Sequence, residues 1–209
     1  MLVLYSMPSS GNSYKVRLML ALTGRTARVV DVEDSSPALA GAKAADALPF
    51  GKAPALHLDD GRVLAESNAI LFWLGEGTDF VPADPFTRAQ MLSWMFWEQN
   101  QHEGVIAVRA GLRTYPSKAA AATPERLADL LDRGHALLAV MEAHLTRADW
   151  LAGSRASLAD ICLYDYTHSA GSKGGFEMAR FPAINRWLAR VAALPGFVTL
   201  DGGEAAHVA

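Results

Sequence analysis

Cysteine is nearly absent. The 209-residue chain holds a single one, Cys162, which excludes an internal disulfide framework and leaves no CxxC redox pair. Neither sign of charge is in excess: 19 basic and 22 acidic residues give a net charge of −3, and neither half of the chain carries a charged tail. A phosphate-backbone binder usually shows a basic face, so nucleic acid is not an expected partner. No run reaches the ~18 apolar residues that mark a membrane span, and MLVLYSMPSS lacks the basic n-region and long apolar core of a secretory signal. These gaps lead us to expect a cytoplasmic chain with no membrane partner and no metal. No internal repeat is visible.

What is abundant is apolar. Hydrophobic residues make up 51% and charged residues 20% of the chain, the balance of a packed globular protein and not of a disordered one. At about 150 residues per domain, the length allows one or two domains. Residues 2–5 (LVLY) read as a short strand, 6–12 as a polar loop, and the segment from Ser13 as a helix stopping at Gly24. A second strand is expected over 27–32 and an Ala-rich helix over 37–48. Two short runs, 53–58 and 62–65, flank Asp59-Asp60-Gly61, a strong hairpin signal, and a helix follows over 67–74. The order β-α-β-α-β-β-α begins with a βαβ unit, hence parallel strands, and adds an antiparallel hairpin. That is the order of a thioredoxin-like fold.

Residues 78–85, with two prolines and two aspartates, read as a linker, and no strand candidate follows. A long helical stretch over 86–111 is rich in Met, Trp and Phe. Residues 125–147 place Leu127, Leu130, Leu131, Leu137, Leu138, Met141 and Leu145 on a 3.6-residue stripe. Further helices are expected over 157–170 and around Ile184, Trp187, Leu188 and Val191, closed by Pro195-Gly196. The last residues, 202–209, read as frayed. The expected organisation is an α/β domain over 1–77 with a mixed four-stranded sheet, a linker over 78–85, and an all-α helical bundle over 86–209.

Four segments carry chemistry. In MPSSGNSYKVR, Ser9, Ser10, Asn12 and Ser13 gather at the end of the first strand, where ligands of open α/β sheets bind and where a helix N-terminus offers free N–H groups. Capping and turn formation explain part of this cluster. The sharper reading is a hydroxyl and an amide aimed at a bound anion: a thiol with a pKa of about 8.5 becomes a thiolate when donors and a helix N-terminus face its sulfur. In LPFGKAPALHLDDG, Ala53-Pro54 opens a strand after a Gly-Lys turn, and the proline is either an ordinary edge residue or a cis one. In LAESNAILFWL, Ser67 is the expected N-cap, with a carboxylate site at the helix N-terminus and an ammonium site beside it at Glu66. In SLADI, Ser157 and Asp160 form a capping-box variant that reads as structural.

Taken in order, LYSMPSSGNSYKVRLML, FGKAPAL, LAESNAILFWL and SLADI resemble the soluble, cytosolic-type glutathione transferase family, as a bacterial member with a serine-type loop like that of theta-, zeta- and nu-type enzymes. The resemblance implies glutathione as cosubstrate, a homodimer, and a role in detoxification. It implies Ser10 as donor to the thiolate, with Asn12 as a second polar group near the sulfur. It further implies a cis bond before Pro54, pairing of the Ala53 backbone with the cysteinyl part of glutathione, and binding of its γ-glutamyl end by Glu66 and Ser67. Lys52 would neutralise the glycine carboxylate or stand as an exposed turn lysine. Beta-type enzymes place a catalytic cysteine at about Gly11, so mixed-disulfide chemistry through the protein's own thiol is not expected. Tyr5 lies in the first strand, where alpha-, mu- and pi-type enzymes hold a catalytic tyrosine; serine chemistry is preferred because Ser10 has the loop position.

The helical half adds candidates of a different kind. His102 resembles a histidine near the sulfur in beta-type enzymes, with a packing role as the plainer reading. Arg109 lies seven residues on, two turns along an α-helix and so on the same face. With Arg113 it offers either an anion site for the electrophile or a solvated basic face. Tyr115 and Phe176 lie in loops near the family's hydrophobic site, and Cys162 reads as an inert buried thiol. The expected activity is transfer of the glutathione thiolate to a hydrophobic electrophile. The alternatives are a glutathione-dependent peroxidase or disulfide reductase, and a non-catalytic ligand-binding member of the fold.

Overall fold

The computed structural model describes residues 1–201, so the frayed end expected over 202–209 lies outside the described residues. Two compact units emerge: Met1–Val81 together with the segment from Ala192 onward, and Pro82–Val191. The break falls inside the stretch read as a linker. The segment after Ala192, assigned from sequence to the helical half, instead joins the first unit. Its anchors are hydrogen bonds donated by Tyr14 Oη to the Val198 carbonyl (2.8 Å) and by Arg17 Nη2 to the Leu200 carbonyl (3.2 Å).

The first unit is built on a strand whose first three residues are aliphatic. β1 (Leu2–Ser6) lies at the centre of the sheet, parallel to β2 (Ala27–Asp31) and antiparallel to β3 (Ala55–His57). β3 in turn pairs with β4 (Val63–Ala65) through the Asp59-Asp60-Gly61 turn, giving the order β2-β1-β3-β4. This is the mixed four-stranded sheet expected from the residues. α1 (Gly11–Leu22) buries Val16, Leu18, Met19 and Leu20, and Gly24 follows its end at φ +63°, a conformation a side chain would strain. α2 (Pro37–Ala44) is shorter than expected, because Asp46 at φ +55° turns the chain. Ala47 and Leu48 thereby return to a buried cluster with Val32, Ala42 and Ala55. α3 (Ser67–Gly75) packs on α1 and buries Ile70, Leu71 and Leu74.

The second unit is helical throughout. α4 (Pro85–Trp97), capped by the Asp84 carboxylate on the Thr87 N–H (2.8 Å), runs into a π-helical stretch over Glu98–Ala107 and then α5 (Val108–Thr114). The long helix read from sequence is present in extent, but its middle turns are widened. α6 (Pro124–Leu145) buries Leu130, Leu138, Met141 and Leu145 of the expected stripe. α7 (Leu158–Thr167) is buried on nearly every side, and α8 (Pro182–Ala192) buries Ile184, Trp187 and Val191. Asp160 pins α7 in place, accepting from the Ser157 N–H (2.9 Å), the Leu151 N–H (2.9 Å) and Trp187 Nε1 (2.8 Å). Burial pushes its carboxyl pKa up while these donors pull it down. The structural reading of SLADI holds.

Candidate active site

The loop after β1 is held from three sides. Arg17, on α1, donates through Nη1 to Ser6 Oγ (2.6 Å) and through Nη2 to the Pro8 carbonyl (3.1 Å). Glu33, just past β2, accepts from the Ser9 hydroxyl (2.6 Å) and the Ser9 N–H (3.0 Å). Burial would raise the Glu33 carboxyl, but bonds from the Ser9 hydroxyl and the Asp34 and Ser9 N–H groups outweigh it and hold it below the ordinary range. The third hold is Ser13, buried, whose Oγ accepts from the Met7 N–H (2.9 Å).

Two of the loop's three serines are therefore committed to the scaffold. Ser10 caps α1, its Oγ accepting from the Ser13 N–H at 3.4 Å, so the helix begins at Gly11 and not at Ser13 as the pattern suggested. A hydroxyl that accepts still owns a hydrogen, and among the described residues none takes the Ser10 hydrogen as an acceptor. Ser10 thus sits half-buried at a helix N-terminus with a donor left to give.

The N-terminus of α3 departs from expectation. Glu66, not Ser67, occupies the cap position, at φ +66°, exposed and making no capping bond. Ser67 is the first helical residue, and its Oγ donates to Asn12 Oδ1 (2.9 Å). Asn12, expected to face the sulfur, thus commits its amide oxygen to Ser67. One bond ties the N-termini of α1 and α3 together. Ser67 can offer an anion its backbone N–H but not its hydroxyl hydrogen. Behind this pair, Lys15 is fully buried and donates to Asn68 Oδ1 (3.2 Å).

The Ala53–Pro54 bond is cis. Ala53 is half-buried and Pro54 buried. Among the described residues, the Ala53 N–H and C=O make no hydrogen bond, which leaves an extended backbone edge open to a peptide-like ligand. Lys52 is exposed in the preceding turn. Tyr5 packs its ring against His57 (4.9 Å between centroids) within the sheet cluster.

The helical unit brings its candidates into a different relation. His102 is fully buried, with Thr167 Oγ1 3.1 Å from its Nε2 and the Trp97 ring beside it (5.7 Å). It is a packing histidine inside this unit. The seven-residue spacing to Arg109 assumed α-helical turns, and the i→i+5 stretch between the two removes that alignment. Arg109 instead lies over the Phe176 ring (5.6 Å), itself buried against His135. Tyr115 ends α5 and carries Lys118 Nζ over its ring (4.9 Å). Cys162 is buried, its Sγ 3.3 Å from Glu98 Oε2. Among the described residues, no group of three or more His, Cys, Asp or Glu is placed to hold a metal ion, and no helix is long and apolar enough to cross a membrane.

Glu33, Arg17 and Lys15 were not singled out from sequence. Glu33 was the findable one: parallel β1 and β2 end at the same edge of the sheet, so an acid just past β2 falls beside the loop that follows β1.

A sheet in the order β2-β1-β3-β4, a polar loop entering a helix at the end of its central strand, and a cis proline before β3 define a thioredoxin-like protein with an appended helical unit. Residues 9–76 match the family model for the glutathione S-transferase N-terminal domain, and residues 105–195 that for the C-terminal domain. Glutathione S-transferase 3 of Zea mays is 34% identical, over 94% of this chain and 91% of its own length. The solved structure of a possible glutathione S-transferase from Rhodopseudomonas palustris is 42% identical, with a TM-score of 0.89 over 96% of this chain and 90% of its own. Elongation factor 1-gamma of Danio rerio is 25% identical over 95% of this chain, which spans only 45% of that protein. The chain belongs to the glutathione S-transferase family.

Proposed function

We propose that this chain is a glutathione transferase whose Ser10 stabilises the glutathione thiolate for attack on a hydrophobic electrophile. The observation that carries the reading is the Ser10 hydroxyl at the N-terminus of α1: its hydrogen has no acceptor among the described residues, and unlike the fully buried Ser13 it is partly exposed. In this reading the Ala53 N–H and C=O pair with the cysteinyl residue of glutathione beside Pro54. The N-terminus of α3, with the Ser67 N–H, takes the γ-glutamyl carboxylate, Glu66 the adjacent ammonium, and Lys52 the glycine carboxylate. Asn12 acts by holding Ser67 and, through it, the spacing of the two helix ends.

The thiol proton leaves to solvent as the Ser10 hydroxyl and the α1 N-terminus stabilise S⁻. The sulfur then forms a bond to the electrophilic carbon, and the leaving group departs with its electron pair. The protein contributes orientation and anion stabilisation. A charge-assisted hydrogen bond is worth ~1.5–3 kcal/mol, so Ser10→Ala is expected to raise the pKa of bound glutathione by about one to two units. A thiolate-absorbance titration of the wild-type and variant complexes measures this, and an unchanged pKa would rule Ser10 out.

The similarity to elongation factor 1-gamma favours one rival, a non-catalytic member of the family. Calorimetry with glutathione decides against our reading if no binding is seen. We further infer a cytoplasmic homodimer, for which light scattering should return twice the 22.4 kDa chain mass.

A further inference from the structure

Arg109 is a buried cation of the helical unit whose guanidinium is left unanswered by hydrogen bonds among the described residues. Its side chain is 8% exposed, yet among the described residues its Nε and Nη1 have no hydrogen-bond partner. The Phe176 ring, 5.6 Å from Cζ, supports the flat face of the guanidinium and leaves the in-plane N–H groups unanswered. The charged neighbour acting on Arg109 is Arg113, another cation, one turn further along α5. Burial first, and then Arg113, push the Arg109 pKa down. Arg113 in turn lies against Gly175, where a side chain would collide with its Nη1, so both guanidinium groups converge on Gly175–Phe176. Gly175 sits at φ +71°, and a residue without a side chain there keeps room for Arg113.

A buried cation is normally matched by a carboxylate, because an unpaired one is costly. Here like charges are gathered instead, around a planar donor fork suited to two oxygens of one anion.

We propose that Arg109 and Arg113 form an anion site beside the Phe176 ring that takes aromatic carboxylates. Arg109 grips the carboxylate with its in-plane N–H groups, Arg113 adds charge from the exposed side, and the aromatic body of the ligand lies on the Phe176 side.

The test uses two unreactive probes of equal shape, 4-amino-3,5-dinitrobenzoate and its neutral amide, titrated calorimetrically into the full chain, with glutathione titrated separately. Wild type is expected to bind the acid about tenfold more tightly than the amide, in line with a charged hydrogen-bonded pair. Arg109→Gln should erase that preference, and Arg113→Gln, at an exposed position, should reduce it severalfold, with glutathione affinity unchanged in both. Equal affinity for acid and amide in wild type overturns the proposal, as does a preference that survives in Arg113→Gln and in Arg109→Gln. If Arg109→Gln fails to fold, Arg113→Gln decides alone. Glutathione binding without acid preference sinks only this inference. Acid preference without glutathione binding sinks the transferase reading and leaves the anion site standing.

Discussion

The bond from Ser67 Oγ to Asn12 Oδ1 should be measurable as a coupling between the starts of α1 and α3. At 2.9 Å it joins two neutral groups, a net contribution of ~0.5–1.5 kcal/mol. The two truncations are unequal. Ser67 is 5% exposed, so Asn12→Ala strands a buried hydroxyl and should cost ~1–3 kcal/mol. Asn12 is half-buried and can turn its amide to water, so Ser67→Ala should cost about 1 kcal/mol or less. Once either partner is gone, losing the other forfeits no bond, so the double variant should fall short of the sum by about 1 kcal/mol. A chain of two compact units need not unfold in one step, so the cycle is best read locally, as opening free energies from hydrogen exchange of the α1 and α3 amides. Glutathione affinity provides a parallel reading: each single variant should weaken it, and the double variant little further. Additivity within about 0.3 kcal/mol would refute the coupling and return Asn12 to an independent role.

Three further outcomes are expected. Gly134→Ala places a methyl group into the Phe176 ring and should destabilise the helical unit by ~1–3 kcal/mol in urea unfolding; an unchanged midpoint would contradict that packing. Glu33, whose folded pKa lies below the ordinary 4.5, stabilises the loop fully above that value and loses its contribution as pH falls through the folded pKa. The stability gap between wild type and Glu33→Gln should therefore be constant at neutral pH and close on acidification, and a gap that widens in acid would reverse the assignment. Asp160→Ala removes the acceptor shared by Ser157, Leu151 and the Trp187 indole and should cost ~3–5 kcal/mol, with Trp187 fluorescence reporting the loss.

Much of the fold was legible because it is local. The Asp59-Asp60-Gly61 turn announced the β3–β4 hairpin, the leucine stripe announced α6, and Ser157 with Asp160 announced the start of α7. The motif positions of the site were legible for the same reason. What was not legible is how polar side chains are spent. Ser9, Ser10 and Ser13 are alike in sequence, and only the fold shows that Ser9 gives its donor to Glu33 and that Ser13 is buried beneath the Met7 N–H, while Ser10 stays partly exposed. Ser67 looks like a cap until Asn12 is seen across from it, 55 positions away. His102 and Arg109 were aligned on an assumption of uniform helical pitch, which the π-helical stretch breaks.

The segment that returns to α1 has a consequence for biogenesis. Val198 and Leu200 receive hydrogen bonds from residues 184 and 183 positions earlier. The helical unit is one contiguous stretch, Pro82–Val191, and can condense as soon as it has emerged from the ribosome. The thioredoxin-like unit, begun before the helical one, is completed after it. Its Tyr14 and Arg17 hold donors whose acceptors do not yet exist while the whole second unit is being made. N-terminal units usually fold first during synthesis. Here the half that carries Ser10 can collapse early, but it locks only once Val198 and Leu200 have followed the helical unit out.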